Sequence, residues 1–174
     1  MLKKSILISV LFLSSWLLAL WQPNLTPLRP AEAAMPQICW LAAVVDGDTL
    51  RVTCQGKPVT VRLHCIDAPE KAQTPWGERA RVALQRIAPR MVELKVIELD
   101  RYGRTVAEVF TASSDHRSLN LELVKNGNAA VYARYCDDSR FTQAQKIAKK
   151  AKLGIWSRGG LQQTPWTFRH RQKN

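Results

Sequence analysis

Histidine is scarce in this chain: His64, His116 and His170 are the only three in 174 residues, and none has a partner at ligand spacing. A histidine-based zinc site and a serine–histidine–aspartate triad are therefore excluded. Cys39, Cys54, Cys65 and Cys136 contain no CxxC pair and no cysteine–histidine cluster, which sets aside sulfur-bound zinc and thiol catalysis. Acidic residues are also few, 14 against 26 Lys and Arg, for a formal net charge of +12. No internal repeat is present, so a solenoid is excluded as well.

What is present begins with a leader. Lys3 and Lys4 precede an almost wholly apolar run from Ser5 to Trp21, and Ala31-Glu32-Ala33 follows as a small-x-small cleavage signal. Residues 1–33 read as a signal peptide, and the 17-residue apolar run leaves an uncleaved membrane anchor as the alternative. The expected location is secreted or periplasmic, or membrane-anchored through this segment. Removing residues 1–33 takes three basic residues and one acid from +12, leaving +10. A field of that sign attracts polyanions: nucleic acid, or an anionic membrane or cell-wall polymer.

The four cysteines form an even set within the exported part, which favours disulfides over four buried thiols. Three pairings are possible. Cys39–Cys54, flanking a hairpin, with Cys65–Cys136, pinning a later loop, is the expected one. Pro23 to Pro36 lacks periodicity, so residues 34–37 are a linker, 38–157 one domain and 158–174 a basic aromatic tail.

Strands are expected at Ile38–Val45, Leu50–Cys54, Val59–Ile66, Met91–Leu99 and Thr105–Thr111, with turns at Asp46-Gly47, Gln55–Pro58 and Asp100–Gly103. Helices are expected over Gly77–Ala88, from a Ser118 cap to Gly127, and from Asp138 or Ser139 to Leu153 with Gly154 as its stop. The last should bury Phe141, Ala144, Ile147 and Ala151. Asp137-Asp138 is accounted for by that cap. Five strands and about three helices make an α+β chain, most simply a small OB-type barrel packed by helices. The tail Thr164–Arg171 either folds over this domain or meets single-stranded nucleic acid.

Two acidic segments stand out. Asp46-Gly47-Asp48-Thr49 is a hairpin turn whose Asp48 begins a strand with Leu50 and Val52 on its side, placing a carboxylate at the barrel mouth. Asp67-Ala68-Pro69-Glu70 puts two acids directly after a strand carrying Arg62. With Arg104, three carboxylates and two guanidinium groups can serve one point. Phosphodiester hydrolysis asks for such a set, since growing negative charge must be neutralised, a water positioned and a hard cation held.

Asp46-Gly47-Asp48-Thr49, Val61-Arg62-Leu63 leading to Asp67-Ala68-Pro69-Glu70, and Asp100-Arg101-Tyr102-Gly103-Arg104 resemble the signature segments of the staphylococcal (micrococcal, thermonuclease) nuclease family. Gly154-Ile155-Trp156 resembles its closing Gly-Leu-Trp, and Pro165-Trp166 with Phe168-Arg169 a tail common in bacterial relatives. The resemblance implies a calcium-dependent, sugar-nonspecific endonuclease on an OB-type barrel, cutting DNA and RNA at the 5′ P–O bond. It implies Asp48 and Asp67 as calcium carboxylates with the Ala68 carbonyl as a further ligand. Glu70 is then the residue at the attacking water, and Arg62 and Arg104 grip the phosphate. Calcium takes oxygen ligands and guanidinium forks fit phosphate, in agreement. A site with so few protein ligands should bind calcium at about 10⁻⁴–10⁻³ M. An unperturbed glutamate, with a pKa of about 4.3, is a weak base at neutral pH, so Glu70 is expected to align water more than deprotonate it.

Departures from the family pattern are few. Ala68 stands for a threonine, the lysine-rich loop shortens to Lys71–Trp76, and one of two active-site tyrosines aligns with Ala133, leaving Tyr135 for the other. Tyr102 is an aromatic contact for substrate or a residue packed on the barrel. The expected protein is a monomeric phosphodiester hydrolase. The alternatives are a catalytically inactive OB-type module that binds nucleic acid, and a basic protein adhering to envelope polymers.

Overall fold

The computed structural model describes residues 37–173. The leader and most of the linker lie outside them, and Gln37 already belongs to the first strand. Strands β1 (Gln37–Val44), β2 (Thr49–Cys54), β3 (Lys57–Leu63), β5 (Met91–Leu99) and β6 (Thr105–Thr111) close a barrel in the order β1-β2-β3-β6-β5. All neighbours are antiparallel except β3 and β6, whose parallel register sets Arg62 beside Val106. Between β3 and β5 run a two-residue strand, β4 (Ile66–Asp67), and helix α1 (Trp76–Ile87). After β6 come α2 (Leu119–Lys125), β7 (Ala130–Val131), which pairs with β4, α3 (Ser139–Lys150) and α4 (Pro165–Lys173). This is the expected α+β barrel, with a fourth helix in the tail. Among the described residues no helix is long and apolar enough to cross a membrane.

Alternation builds the core. Leu50, Val52, Val61, Leu63, Val92, Leu94, Ala107 and Val109 point inward and are buried. Ala80, Leu84, Leu119, Leu123 and Phe141 close the cluster from the helices. Each fully buried Leu, Val or Phe contributes about 1.5–3 kcal/mol of transfer free energy. Ser118 caps α2, accepting from the Leu121 amide at 3.2 Å, and Asp138 caps α3 from the Arg140 amide at 2.8 Å. Both expected disulfides are present, Cys39–Cys54 across β1–β2 and Cys65–Cys136.

Three expectations about the elements need correction. The strand expected to run from Val59 to Ile66 breaks at His64-Cys65, where Cys65 takes a φ of 68°, and Ile66-Asp67 leaves the barrel to pair with β7. Helix α3 buries Phe141, Ala144 and Ala148, while Ile147 is 67% exposed and Ala151 lies outside. Its stop is Lys152, at φ 52°, whose amide reaches the Lys149 carbonyl while Leu153 reaches that of Ala148, a Schellman closure. Gly154 has another reason to be glycine: a Cβ there would stand 2.0 Å from the Gly127 carbonyl oxygen.

Candidate active site

The two acidic segments meet because small residues let them. A Cβ on Gly47 would lie 2.6 Å from the Cβ atoms of both Ala68 and Ala80, so only glycine allows the β1–β2 turn to touch the segment after β4. The Ala68 amide then donates to Asp48 Oδ2 at 2.8 Å, tying the second segment to the acid of the first. Asp46 accepts from the Asp48 amide at 3.1 Å and shapes the turn. Burial first, and then the Asp48 charge, push the Asp46 carboxyl above its ordinary value.

Asp67 is presented by the strand break and is wholly buried. The break is braced from three sides. The Tyr132 amide donates to the Cys65 carbonyl at 2.9 Å, and the Cys65–Cys136 disulfide anchors the same residue. Buried Asn120 donates to the His64 and Ala107 carbonyls at 3.0 and 3.1 Å while accepting from the Val109 amide at 3.0 Å. Burial raises the Asp67 carboxyl to about 6, against the opposing hydrogen bond from Arg169.

Arg62 bridges the acids. Its Nη2 lies 3.2 Å from Asp48 Oδ2 and 2.9 Å from Asp67 Oδ1, and its Nη1 donates to the Leu63 carbonyl at 2.7 Å. Two carboxylate oxygens from separate elements thus converge on one cationic nitrogen. That donor set is hard, anionic and suited to a calcium-like cation. Among the described residues no group of three or more His, Cys, Asp or Glu could hold a metal. A cation there would draw its remaining ligands from backbone carbonyls, water or substrate.

Glu70 is half-exposed, and a residue not foreseen as part of the site holds its backbone. Buried Gln73 accepts from the Glu70 amide at 2.8 Å through Oε1, and its own amide donates to the Glu70 carbonyl at 2.8 Å. The α1 start fits closely here, because a Cβ on Gly77 would sit 2.1 Å from that carbonyl oxygen.

Arg169, on α4, is the larger surprise. Its Nη1 donates to Glu70 Oε1 at 2.6 Å and Asp67 Oδ1 at 3.1 Å, and its Nη2 to Asp67 Oδ2 at 2.9 Å. Burial works against its charge, but the hydrogen bonds to Asp67 and Glu70 outweigh it and hold the guanidinium above its ordinary value. The tail therefore folds over the domain. A separation of 102 residues leaves no local signal of this contact; the basic aromatic run alone marks the tail.

Arg104 stands apart. Asp100 accepts from its Nε at 2.7 Å and its amide at 2.9 Å, and no ion pair joins Arg104 to Asp48, Asp67 or Glu70 among the described residues. Its chain neighbour Thr105 pairs with Val61, which puts the turn beside the strand that carries Arg62. Tyr102 is exposed under Arg101 and Arg104, with centroid distances of 4.8 and 5.7 Å. Tyr135 is exposed and packs edge-on against Tyr132 at 4.9 Å, while Tyr132 stacks on Trp166 at 5.3 Å.

A closed barrel that gathers buried carboxylates and arginines at one spot has the equipment of a phosphodiester hydrolase. Comparison with known proteins gives the particular kind. Residues 60–158 match the family described as Staphylococcal nuclease homologue. The chain is 34% identical over 140 residues to a micrococcal nuclease of Shigella flexneri, covering 75% of this chain and 79% of that protein. An uncharacterized endonuclease of Escherichia coli O157:H7 is 35% identical over 129 residues, 74% of this chain and 82% of the relative. Another, from Haemophilus influenzae, is 37% identical over 121 residues, 68% and 66% of the two chains. The chain belongs to the staphylococcal nuclease family, and it is a nuclease.

Proposed function

We propose that the protein is an exported, monomeric nuclease that requires calcium and hydrolyses DNA and RNA without regard to sugar, at the 5′ P–O bond. The observation that carries this reading is the convergence of Asp48 Oδ2 and Asp67 Oδ1 on the one Arg62 nitrogen. Asp48, Asp67 and the Ala68 carbonyl would hold calcium, which when bound supplies a Lewis acid for a phosphoryl oxygen. Arg62 stabilises charge on the phosphorus centre from beside these acids. Among the described residues the Arg104 side chain donates through Nε alone, which leaves its terminal nitrogens to fork onto a phosphate. Glu70 accepts a hydrogen bond from the attacking water and aligns it, with Gln73 fixing the backbone that carries it. Tyr102 and Tyr135 would stack on bases, a role that the exposure of both rings supports. Two disulfides fit an oxidising location, and the leader at 1–33 supplies the route.

The test is release of acid-soluble nucleotides from single-stranded DNA, duplex DNA and RNA, in calcium and in EDTA, beside Glu70→Gln. Cleavage that needs calcium and fails in the variant is the expected result. Tight binding without cleavage in any condition would make the protein a nucleic-acid-binding barrel instead.

A further inference from the structure

One of the two acids proposed to hold the cation, Asp67, already faces the guanidinium of the tail's Arg169. Both oxygens of Asp67 accept from the Arg169 fork, and Glu70 Oε1 accepts from the same guanidinium. We propose that Arg169 is a tethered counterion that competes with the divalent cation for Asp67, so that the C-terminal helix gates metal binding. This inference rests on the calcium reading above and adds a regulation of that site.

Three features carry the inference. Asp67 is wholly buried and faces two guanidinium groups, Arg62 on Oδ1 at 2.9 Å and Arg169 on Oδ2 at 2.9 Å, so the second of them stands where a cation from solution would add its charge. The Arg169 fork places one hydrogen bond on each Asp67 oxygen, so a dication at that carboxylate would stand against a second guanidinium beside that of Arg62, and like charge sets the two in competition. Glu70, the residue proposed to align the water, is held by the same guanidinium, which donates to its Oε1 at 2.6 Å. The resting arrangement therefore opposes a metal at Asp67 and engages Glu70 through one and the same side chain.

The helix is attached in a way that permits release. Beyond Arg169, α4 docks by the Trp166 ring lying parallel to that of Tyr132. Its segment connects back through Gln162 and Gln163, whose amide groups donate to the Ile155 and Arg158 carbonyls. Those bonds precede α4 and can persist while the helix swings. Arg169 is 37% exposed, so its charge has water to move into.

The experiment is a calorimetric titration of calcium chloride, without nucleic acid, into the chain from Ala34. That piece contains the closed barrel, both disulfides and every core residue described. Arg169→Gln should tighten calcium binding about tenfold, as for a site freed from a competing state. Trp166→Ala, which loosens the helix without touching an acid, should tighten it in the same direction, and keeps the test valid if the first variant folds poorly. Arg171→Gln removes the same charge from an exposed position of the same helix and should leave the constant where it was. Unchanged or weaker binding in both Arg169→Gln and Trp166→Ala overturns the gate while leaving the calcium reading intact. Equal tightening in Arg171→Gln also overturns it, because net charge alone would explain the result. Failure of every protein to bind calcium overturns the calcium reading and the gate with it.

Discussion

Arg62 and Arg104 are assigned the same task, yet their surroundings are built in opposite ways. Arg62 sits among acids delivered by two elements and braced by residues scattered from position 47 to 136. Arg104 is held by a five-residue turn in which Asp100 accepts the Tyr102 and Arg104 amides and the Arg104 Nε. Burial opposes the charge on Asp100, but these hydrogen bonds outweigh it and hold its carboxyl below the ordinary range. The first site is made by tertiary structure and the second by local sequence. Damage to distant supports should therefore reach Arg62 and spare Arg104.

The largest effect expected is from opening Cys65–Cys136 with paired serines. The bridge closes a separation of 71 residues against 15 for Cys39–Cys54, so chain entropy assigns it about 4 kcal/mol against about 3 kcal/mol. Denaturant melts of the two double variants check the order. The Cys65–Cys136 variant should also lose cleavage under conditions where it remains folded, because Asp67 lies two residues from Cys65. An equal loss in the Cys39–Cys54 variant would break the comparison.

Arg62→Lys comes next. An ammonium cannot span Asp48 and Asp67 while holding the Leu63 carbonyl, and kcat should fall on the order of 10²-fold. Arg104→Lys keeps a charge in an open turn and should fall less. If Arg62→Lys kept full kcat, the role given to it would be wrong.

These contrasts explain what was legible in the sequence. The barrel strands could be read because alternation and turn residues are local, and so could the Ser118 and Asp138 caps. Ile147 was misplaced because two helical stripes one residue apart look alike, and packing chose the one through Ala148. The break at Cys65 is dictated by partners far along the chain, Asn120, Tyr132 and Cys136, which no window around it contains. Of the site, the acids and Arg62 lie in short segments with recognisable spacing. Gln73, Asn120 and Arg169 act through contacts that spacing does not encode.

Asn120→Ala would sharpen the comparison at middle size. It strands the His64 carbonyl and the Val109 amide, while the Ala107 carbonyl keeps the His64 amide at 2.8 Å, and costs about 2 kcal/mol. Cleavage at temperatures well below the melt should also fall, since the His64 carbonyl leads directly into the Asp67 segment. A stability loss with full activity would mean that the disulfide alone positions Asp67.

Asp100→Asn is the smallest and the most discriminating. Asparagine retains an oxygen for the Tyr102 and Arg104 amides, so the turn, with Gly103 at a φ of 76°, should keep its shape. What it loses is the charge facing Arg104, an ion pair in which both side chains reach solvent, worth less than about 1 kcal/mol. The melting midpoint should barely move. Freed from its partner, the guanidinium samples more orientations, and KM for nucleic acid should rise about twofold at low salt while kcat holds. Screening then supplies the decisive control: the charge matters less as salt rises, so wild type and variant should converge at high ionic strength. A kcat loss as deep as that of Arg62→Lys would show that Asp100 builds the site as Asp67 does, and the division between a tertiary and a local arginine would fail.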